Sequence, residues 1–327
     1  MSDDRAQVLD ELRRADKVLL TTHENPDGDA LGSLRATQLM LEALGKDVVM
    51  FLAGDNFPLP HEYRHMPFDD VLNAPPEDLH ERLIVFLDCG NIDRMPVDFL
   101  RTGGTRIVNI DHHHDNTRFG DVNLVVGHAS CTAEIVFDLA KELGVEITKP
   151  LAEALYIALV TDTGKFMFEN TTPAAHQMAA ELIAAGVEPQ VVHQRLYEGL
   201  PFSRIQLLAR ALTAVQRFDD GALTLTHLTR DDFAHSDADE SDSEGIVDHM
   251  RQVEGTLVAA LVRDLLDDEG RRKVSLRATN GRVDVSEIAR GFGGGGHRQA
   301  AGFTTDVQIP EIVERLRTEV NSQLSRA

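Results

Sequence analysis

The sequence predicts an α/β protein of two lobes joined by helices, and three observations carry that expectation. Through the first half, apolar runs of strand length alternate with helical patterns, as they do around a largely parallel sheet. From Leu151 to Ala214 the pattern is almost wholly helical, and a second block of strand-like runs follows it. A length of 327 residues suits one large or two ordinary domains, each able to bury its own core.

Taken in order, the expected strands of the first lobe are Lys17–Thr22, Asp47–Leu52, Leu83–Leu87 and Arg106–Ile110. Helices are expected over Asp29–Leu44 and Cys131–Leu143, which Gly45 and Gly144 close as helix-ending glycines do. The helical stretch is interrupted at Thr161–Thr172, at Gly186 and at Gly199-Leu200-Pro201. Within it, Pro173–Ala185 and Pro201–Val215 are amphipathic, and core packing is their expected use. In the second lobe, Ala222–Leu228, Leu257–Leu265 and Lys273–Ala278 read as strands, and an amphipathic helix starts near Ile309. Between the first two of those strands, the acidic run Asp231–Asp242 reads as a solvated loop. The expected division is a first domain over 1–186, a helical connector over 187–216 and a smaller second α/β domain over 217–327.

Composition narrows the function. A net charge of −22 opposes gripping long nucleic acid, because neutralising phosphates dominates that kind of binding. With no Trp and three Tyr, there is also little for a long single strand to stack on. A pocket holding divalent cations reverses the sign locally, so a small phosphate ester remains a suitable ligand. Two cysteines, Cys89 and Cys131, do not make a disulfide framework. An acidic start without a signal pattern, and no apolar run of membrane-spanning length, lead to the expectation of a soluble cytoplasmic protein with no membrane partner.

Four clusters carry the chemistry. His23-Glu24-Asn25-Pro26-Asp27-Gly28-Asp29 places an imidazole and carboxylates in one loop between an apolar run and a helix. Asp88 ends the run Leu83–Leu87, Asp111-His112-His113-His114 ends Arg106–Ile110, and Asp162 ends the helical run Tyr156–Thr161. In open parallel sheets, functional groups gather beyond the carboxyl ends of the strands, so the first three clusters are expected on one rim. Imidazoles mixed with carboxylates suit ions such as Mn²⁺ or Mg²⁺. Two ions about 3.5–4 Å apart need a bridging carboxylate, and such a pair clamps the attacking and leaving oxygens of a phosphoryl group. In the second lobe, Gly293-Gly294-Gly295-Gly296-His297-Arg298 joins a glycine run that lets backbone approach an anion to donors for a phosphate or base.

These motifs resemble those of the DHH phosphoesterase superfamily, and the segment Gly293–Gly302 resembles the signature of the associated DHHA1 domain. Together they are similar to the bifunctional oligoribonucleases that shorten very short RNA and dephosphorylate 3′-phosphoadenosine 5′-phosphate. The resemblance implies a first Mn²⁺ held by His23 and Asp27, a second held by Asp29, His112 and Asp162, and Asp88 as the bridge. It also implies that Asp111 orients His112, and that His113 faces the scissile phosphate as hydrogen-bond donor or as acid. Substrate contacts are implied for Arg277, Gly294, Gly295, Gly296, His297 and Arg298, with short oligonucleotides or small nucleotides as ligands and a homodimer as the assembly. Relatives often carry arginine where this chain has Lys165, which lacks the bidentate fork. Linear or cyclic dinucleotides are the alternative substrates, and a non-catalytic nucleotide sensor is the alternative of another class. A pyrophosphatase gives the glycine segment no use, and a RecJ-type exonuclease fits the short, acidic chain poorly.

Overall fold

The computed structural model describes residues 3–53, 59–68, 70–95, 97–102, 105–279, 281–296 and 298–326, residues 101 and 102 by backbone alone. The chain divides into two compact units, Met1–Glu198 and Gly199–Ala327.

In the first unit the order is α1 (Asp3–Arg14), β1 (Lys17–Thr21), α2 (Gly28–Ala43), β2 (Asp47–Met50), β3 (Leu83–Leu87), α3 (Asp98–Thr102), β4 (Ile107–Asp111) and β5 (Val122–Val125). Helices α4 (Thr132–Glu142), α5 (Lys149–Asp162), α6 (Pro173–Ala184) and α7 (Pro189–Tyr197) complete it. The strands pair in parallel in the order β2-β1-β3-β4-β5. Both faces of the sheet are covered, which is why β3 is apolar at every position rather than alternating. Leu20, Val85, Leu87, Val108 and Ile110 belong to the larger core, with Leu31, Leu34, Val136 and Leu155 of the helices. The alternate positions Leu19, Ile84 and Phe86 belong to a smaller cluster with Phe51, Met95 and Leu100. The order in which strands are laid down reverses between β1 and β3, the crevice where open α/β sheets bind ligands.

Strand β5 was not expected: four residues including Asn123, between Gly120 and Gly127, give too short an apolar pattern to mark a strand.

Close packing of α2 on α5 depends on two glycines. A methyl group at Gly32 would stand 2.6 Å from the Ala154 carbonyl oxygen and 2.7 Å from the Ala158 Cβ. One at Gly28 would stand 2.3 Å from the Thr161 hydroxyl. Since α5 ends at Asp162, this contact sets where that carboxylate stands. Gly32→Ala is therefore expected to destabilise the protein by about 1–3 kcal/mol, as overpacking does, and to weaken divalent-ion binding. Denaturant melts with and without Mn²⁺ measure both effects.

The second unit contains α8 (Phe202–Thr213), β6 (Gln216–Phe218), β7 (Leu223–Leu228), α9 (Arg230–Ser236), α10 (Ile246–Arg251), β8 (Val258–Asp264), β9 (Arg272–Ala278), α11 (Val285–Gly291), β10 (Gly295–Gly296), β11 (Ala300–Thr305) and α12 (Ile309–Arg326). Its sheet runs β10-β11-β9-β8-β7-β6, antiparallel except for the β7–β8 pair. Val274, Leu276 and Ala278 join Ile288, Ile312 and Leu316 in one core cluster, while Ala259 and Leu261 join Leu207, Phe233 and Met250 in another.

The acidic run expected as a solvated loop is instead largely helical. Thr229 and Asp232 form a reciprocal capping box that starts α9, and Asp239 and Asp242 form another for a short 3₁₀ turn. Phe233 is the buried anchor, and Glu240 pairs with Arg263. Among the described residues, no helix is long and apolar enough to cross a membrane.

Candidate metal centre

The clusters beyond β1, β3 and β4, with the end of α5, come together in the first unit. Among the described residues, three groups each bring their donor atoms within 4.8 Å of one another: His23, Asp27 and Asp88; Asp29, His112 and Asp162; and Asp88, His112 and His113. Asp88 faces two ways. Its Oδ2 lies 3.7 Å from His23 Nε2, and its Oδ1 lies 3.6 Å from His112 Nε2. His112 Nε2 is also 3.8 Å from Asp29 Oδ2 and 3.8 Å from Asp162 Oδ2. With metal–oxygen bonds of about 2.0–2.2 Å, ligands sharing one ion stand about 3–4 Å apart, so these separations fit.

The histidine rings are set for ligation. His23 Nδ1 meets the Glu24 carbonyl at 2.7 Å, and His112 Nδ1 meets the Ala129 carbonyl at 3.3 Å. Donation from Nδ1 to a carbonyl leaves each Nε2 with its lone pair toward the carboxylates. Asp111 does something other than the resemblance implied. Its Oδ1 accepts from His113 Nδ1 at 2.7 Å, so its carboxylate holds the ring of His113 and meets His112 only at the backbone amide, 2.8 Å away. Asn116 donates to the other oxygen, Asp111 Oδ2, at 2.5 Å. His114 is exposed beside these residues.

Asp27 is both cap and candidate ligand. Its Oδ1 accepts from the amides of Asp29 and Ala30 at 3.1 and 3.0 Å, starting α2. Asp29 lies at the N-terminus of a different helix, α4, where it accepts from the amides of Thr132 at 2.6 Å and Ala133 at 3.1 Å. Those donors and the helix dipole favour its anionic form.

Three residues that the sequence left unmarked complete the frame. The Thr132 hydroxyl donates to Asp88 Oδ1 at 3.0 Å, and Asn170 donates to Asp162 Oδ2 at 3.1 Å. The Arg94 guanidinium lies 3.2 Å from His23 Nδ1, where it donates only in the tautomer in which that nitrogen gives no proton to the Glu24 carbonyl. Thr132 follows Ser130-Cys131 at the start of a strongly apolar helix, and a search for helix starts facing the strand ends would have reached it.

Electrostatics show why the cluster fits cations. Burial, aided by the charges of Asp88, Asp162 and Asp27, pushes the Asp29 carboxyl well above the usual range despite its amide donors. Burial also pushes Asp162 up to about 7, with Asp88 and Asp27 adding to the rise and His112 and His113 opposing it. For Asp88, burial is outweighed by the neighbouring imidazoles of His23, His113 and His112, and its carboxyl stays below the ordinary range. His113 is pushed up to about 9: burial opposes this, but the bond to Asp111 and the charges of Asp88 and Asp111 prevail.

An acid whose folded pKa is raised costs the fold stability as pH climbs from its ordinary value to the raised one. For Asp162 that window runs from 3.8 to about 7. The stabilisation from His113 is present below its ordinary 6.5 and is lost as pH rises through about 9. Metal-free protein should therefore melt at lower temperature at pH 7.5 than at pH 5. Mn²⁺ should raise the melting temperature more at pH 7.5, where it neutralises the carboxylates; an equal rise at both values would contradict this.

In the second unit, Arg277 on β9 lies 3.5 Å from Asp248 Oδ1, and Arg298 donates to the Gly281 carbonyl at 2.8 Å. The glycine run does not form an open nest of amides. Gly293 and Gly294 donate to the Arg290 and Ala289 carbonyls and close α11, while Gly295 and Gly296 pair with Gly302 and Ala301 at the sheet edge. Gly294 has no room for a side chain, since a Cβ there would stand 2.2 Å from the Gly302 carbonyl oxygen. His297 lies outside the described residues. Lys165 places its ammonium 3.9 Å from the centroid of the Tyr197 ring.

Sequence and fold both match known proteins. Residues 17–159 match the DHH family N-terminal domain, and residues 222–325 match the DHHA1 domain. The chain is 36% identical over 315 residues to the bifunctional oligoribonuclease and PAP phosphatase NrnA of Thermus thermophilus, covering 95% of this chain and 91% of that protein. It is 26% identical over 301 residues to the protein of that name from Bacillus subtilis, covering 91% of this chain and 92% of the other. An exopolyphosphatase-related protein from Bacteroides fragilis shares the fold, with TM-score 0.89 at 24% identity over 99% of this chain and 97% of that one. RecJ of Thermus thermophilus in complex with Mn²⁺ gives TM-score 0.55 at 14% identity over 99% of this chain and 54% of its own. With both domain matches in order and a relative 36% identical over 95% of this chain, the chain belongs to the DHH phosphoesterase family and carries its DHHA1 domain.

Proposed function

We propose that this protein hydrolyses very short oligoribonucleotides to mononucleotides and also removes a phosphate from 3′-phosphoadenosine 5′-phosphate. The observation that carries the reading is Asp88, whose two oxygens face separate histidines in two donor groups. The activities named for the relatives from Thermus thermophilus and Bacillus subtilis support the substrate class. His23 and Asp27 would hold one divalent ion, Asp29, His112 and Asp162 a second, and Asp88 both. We take Mn²⁺ as the ion, on the mixed imidazole and carboxylate donors. When bound, such a pair supplies positive charge to the phosphoryl oxygens and eases deprotonation of the attacking water.

The chain's own groups do the rest. Asp111 holds His113 by its Nδ1, leaving Nε2 to donate to the scissile phosphate or to protonate the leaving oxygen. Thr132 and Asn170 fix the orientation of Asp88 and Asp162. Arg277, Arg298, His297 and the glycines 294–296 are assigned to substrate recognition. The acidic balance of the chain supports short ligands over long nucleic acid. A cytoplasmic homodimer completes the reading, supported by two buried free cysteines for the compartment and by family resemblance for the assembly.

A hydrolysis panel with Mn²⁺ tests it, containing pApA, a long single strand, 3′-phosphoadenosine 5′-phosphate, cyclic dinucleotides and pyrophosphate. Turnover of pApA and of the bisphosphate, with little of the long strand, is expected. Equal turnover of pApA and the long strand would refute the preference for short substrates. Turnover confined to cyclic dinucleotides would transfer the chain to that substrate class, and no turnover at all would make it a binding protein.

A further inference from the structure

The segment after Asp162 leaves the candidate metal centre and returns to it. The Thr163 hydroxyl donates to the Leu159 carbonyl at 2.6 Å, and the Thr163 carbonyl accepts from the amides of Met167 and Phe168, both at 3.0 Å. Lys165 and Phe166 adopt left-handed backbone angles, φ 62° and 64°. These turn the Phe166 ring inward, with its centroid 6.5 Å from that of Tyr156 and 5.0 Å from that of His176. On the return side, the Thr171 amide donates to the Phe168 carbonyl at 3.0 Å. Asn170 then donates to the Ser130 carbonyl at 2.8 Å and to the Asp162 carboxylate at 3.1 Å. The loop is tied down along its length.

Yet its tip exposes two large apolar side chains, Met167 at 75% and Phe168 at 51%. The Phe168 ring is also fixed from beneath. A Cβ on Gly164 would stand 2.5 Å from ring atom Cζ and 2.6 Å from Cε1 and Cε2, so the ring rests on bare glycine backbone. Gly164 itself has φ 55°, which glycine adopts without a steric penalty. One ring face is thus supported while the ring as a whole stays half open to solvent. Phe168 is two residues from Asn170, so their Cα atoms are within about 7.6 Å of each other, and Asn170 touches Asp162 directly. A fixed, half-open aromatic ring beside a phosphoryl-binding centre suits one ligand chemistry well, the flat face of a base.

We propose that Phe168 is a stacking platform for a nucleobase adjoining the scissile phosphate, with the Met167 thioether as an adaptable flank. This rests on the phosphoesterase reading above and names a specificity-determining residue within it. Every base has a π face, so the platform tolerates base identity while adding nothing to the binding of phosphate esters that have no base.

Phe168→Trp makes a direct probe, because the chain contains no other tryptophan. With Mn²⁺ present, AMP and pApA should change the emission of F168W, while ribose 5-phosphate should not. Phe168→Ala should raise KM for pApA about tenfold or more, with kcat nearly unchanged, and F168W should restore KM. For an abasic analogue of pApA, F168A and the unmodified protein should have the same KM. The platform is overturned if the unmodified protein hydrolyses pApA but F168A leaves KM unchanged and F168W does not respond to nucleotide; the phosphoesterase reading then stands. An altered oligomeric state in F168A with unchanged KM would also overturn it, by making the ring a subunit contact. No turnover of pApA by the unmodified protein would overturn both.

Discussion

Asp88→Asn is expected to lower phosphoester turnover by at least ~10³-fold while the chain remains folded. The size follows from the position of Asp88, the only described residue placed by geometry between the His23 group and the His112 group. Asparagine keeps the side-chain shape but loses the negative charge that would balance two cations. It also keeps the backbone, since Asp88 has φ 56° and asparagine shares the tolerance of aspartate for left-handed angles. A far-ultraviolet spectrum like that of the unmodified protein, together with lost activity, would place the effect in the site. Normal turnover in D88N would remove Asp88 from the centre and end the proposed ligand set.

His113→Gln should reduce kcat by about 10²–10⁴-fold, the range for a positioned acid or donor, with Mn²⁺ stoichiometry unchanged. Two observations separate His113 from its neighbour. His112 turns Nε2 toward three carboxylates, whereas His113 gives its Nδ1 to Asp111 at 2.7 Å. His113 Nδ1 also lies 3.6 Å from Asp88 Oδ1, so a ligand role is the competing geometry. Metal counting decides between them. Loss of an ion in H113Q would make His113 a ligand, while full occupancy with depressed kcat would assign it to the substrate.

Much of this site could be read from the chain, because each cluster ends an apolar segment and parallel strands deliver their ends to one rim. His23, Asp88 and His112 follow strands β1, β3 and β4, which are neighbours in the sheet. Asp162 was legible as the end of a helix, but the reason it reaches the others was not. That depends on Gly28 and Gly32 admitting α5 against α2, a contact between positions more than a hundred residues apart. Thr132 and Asn170 were missed for the same reason: their partners are Asp88 and Asp162, and nothing local marks either as more than a helix start or a loop residue. The pairing of Asp111 with His113 rather than with the ring of His112 turns on side-chain rotation at the end of β4, which sequence spacing does not specify. In the second unit, the acidic composition of Asp231–Asp242 points to a loop, whereas its capping boxes and the single anchor Phe233 make it largely helical. The glycine run suggests backbone open to an anion, but two of its amides are spent on ending α11.

Equilibrium dialysis against Mn²⁺, with metal analysis of the unmodified protein, shows whether Asp88 joins a centre for two divalent ions. Two ions per chain at saturation are the expected result, and saturation at one ion or none would contradict it.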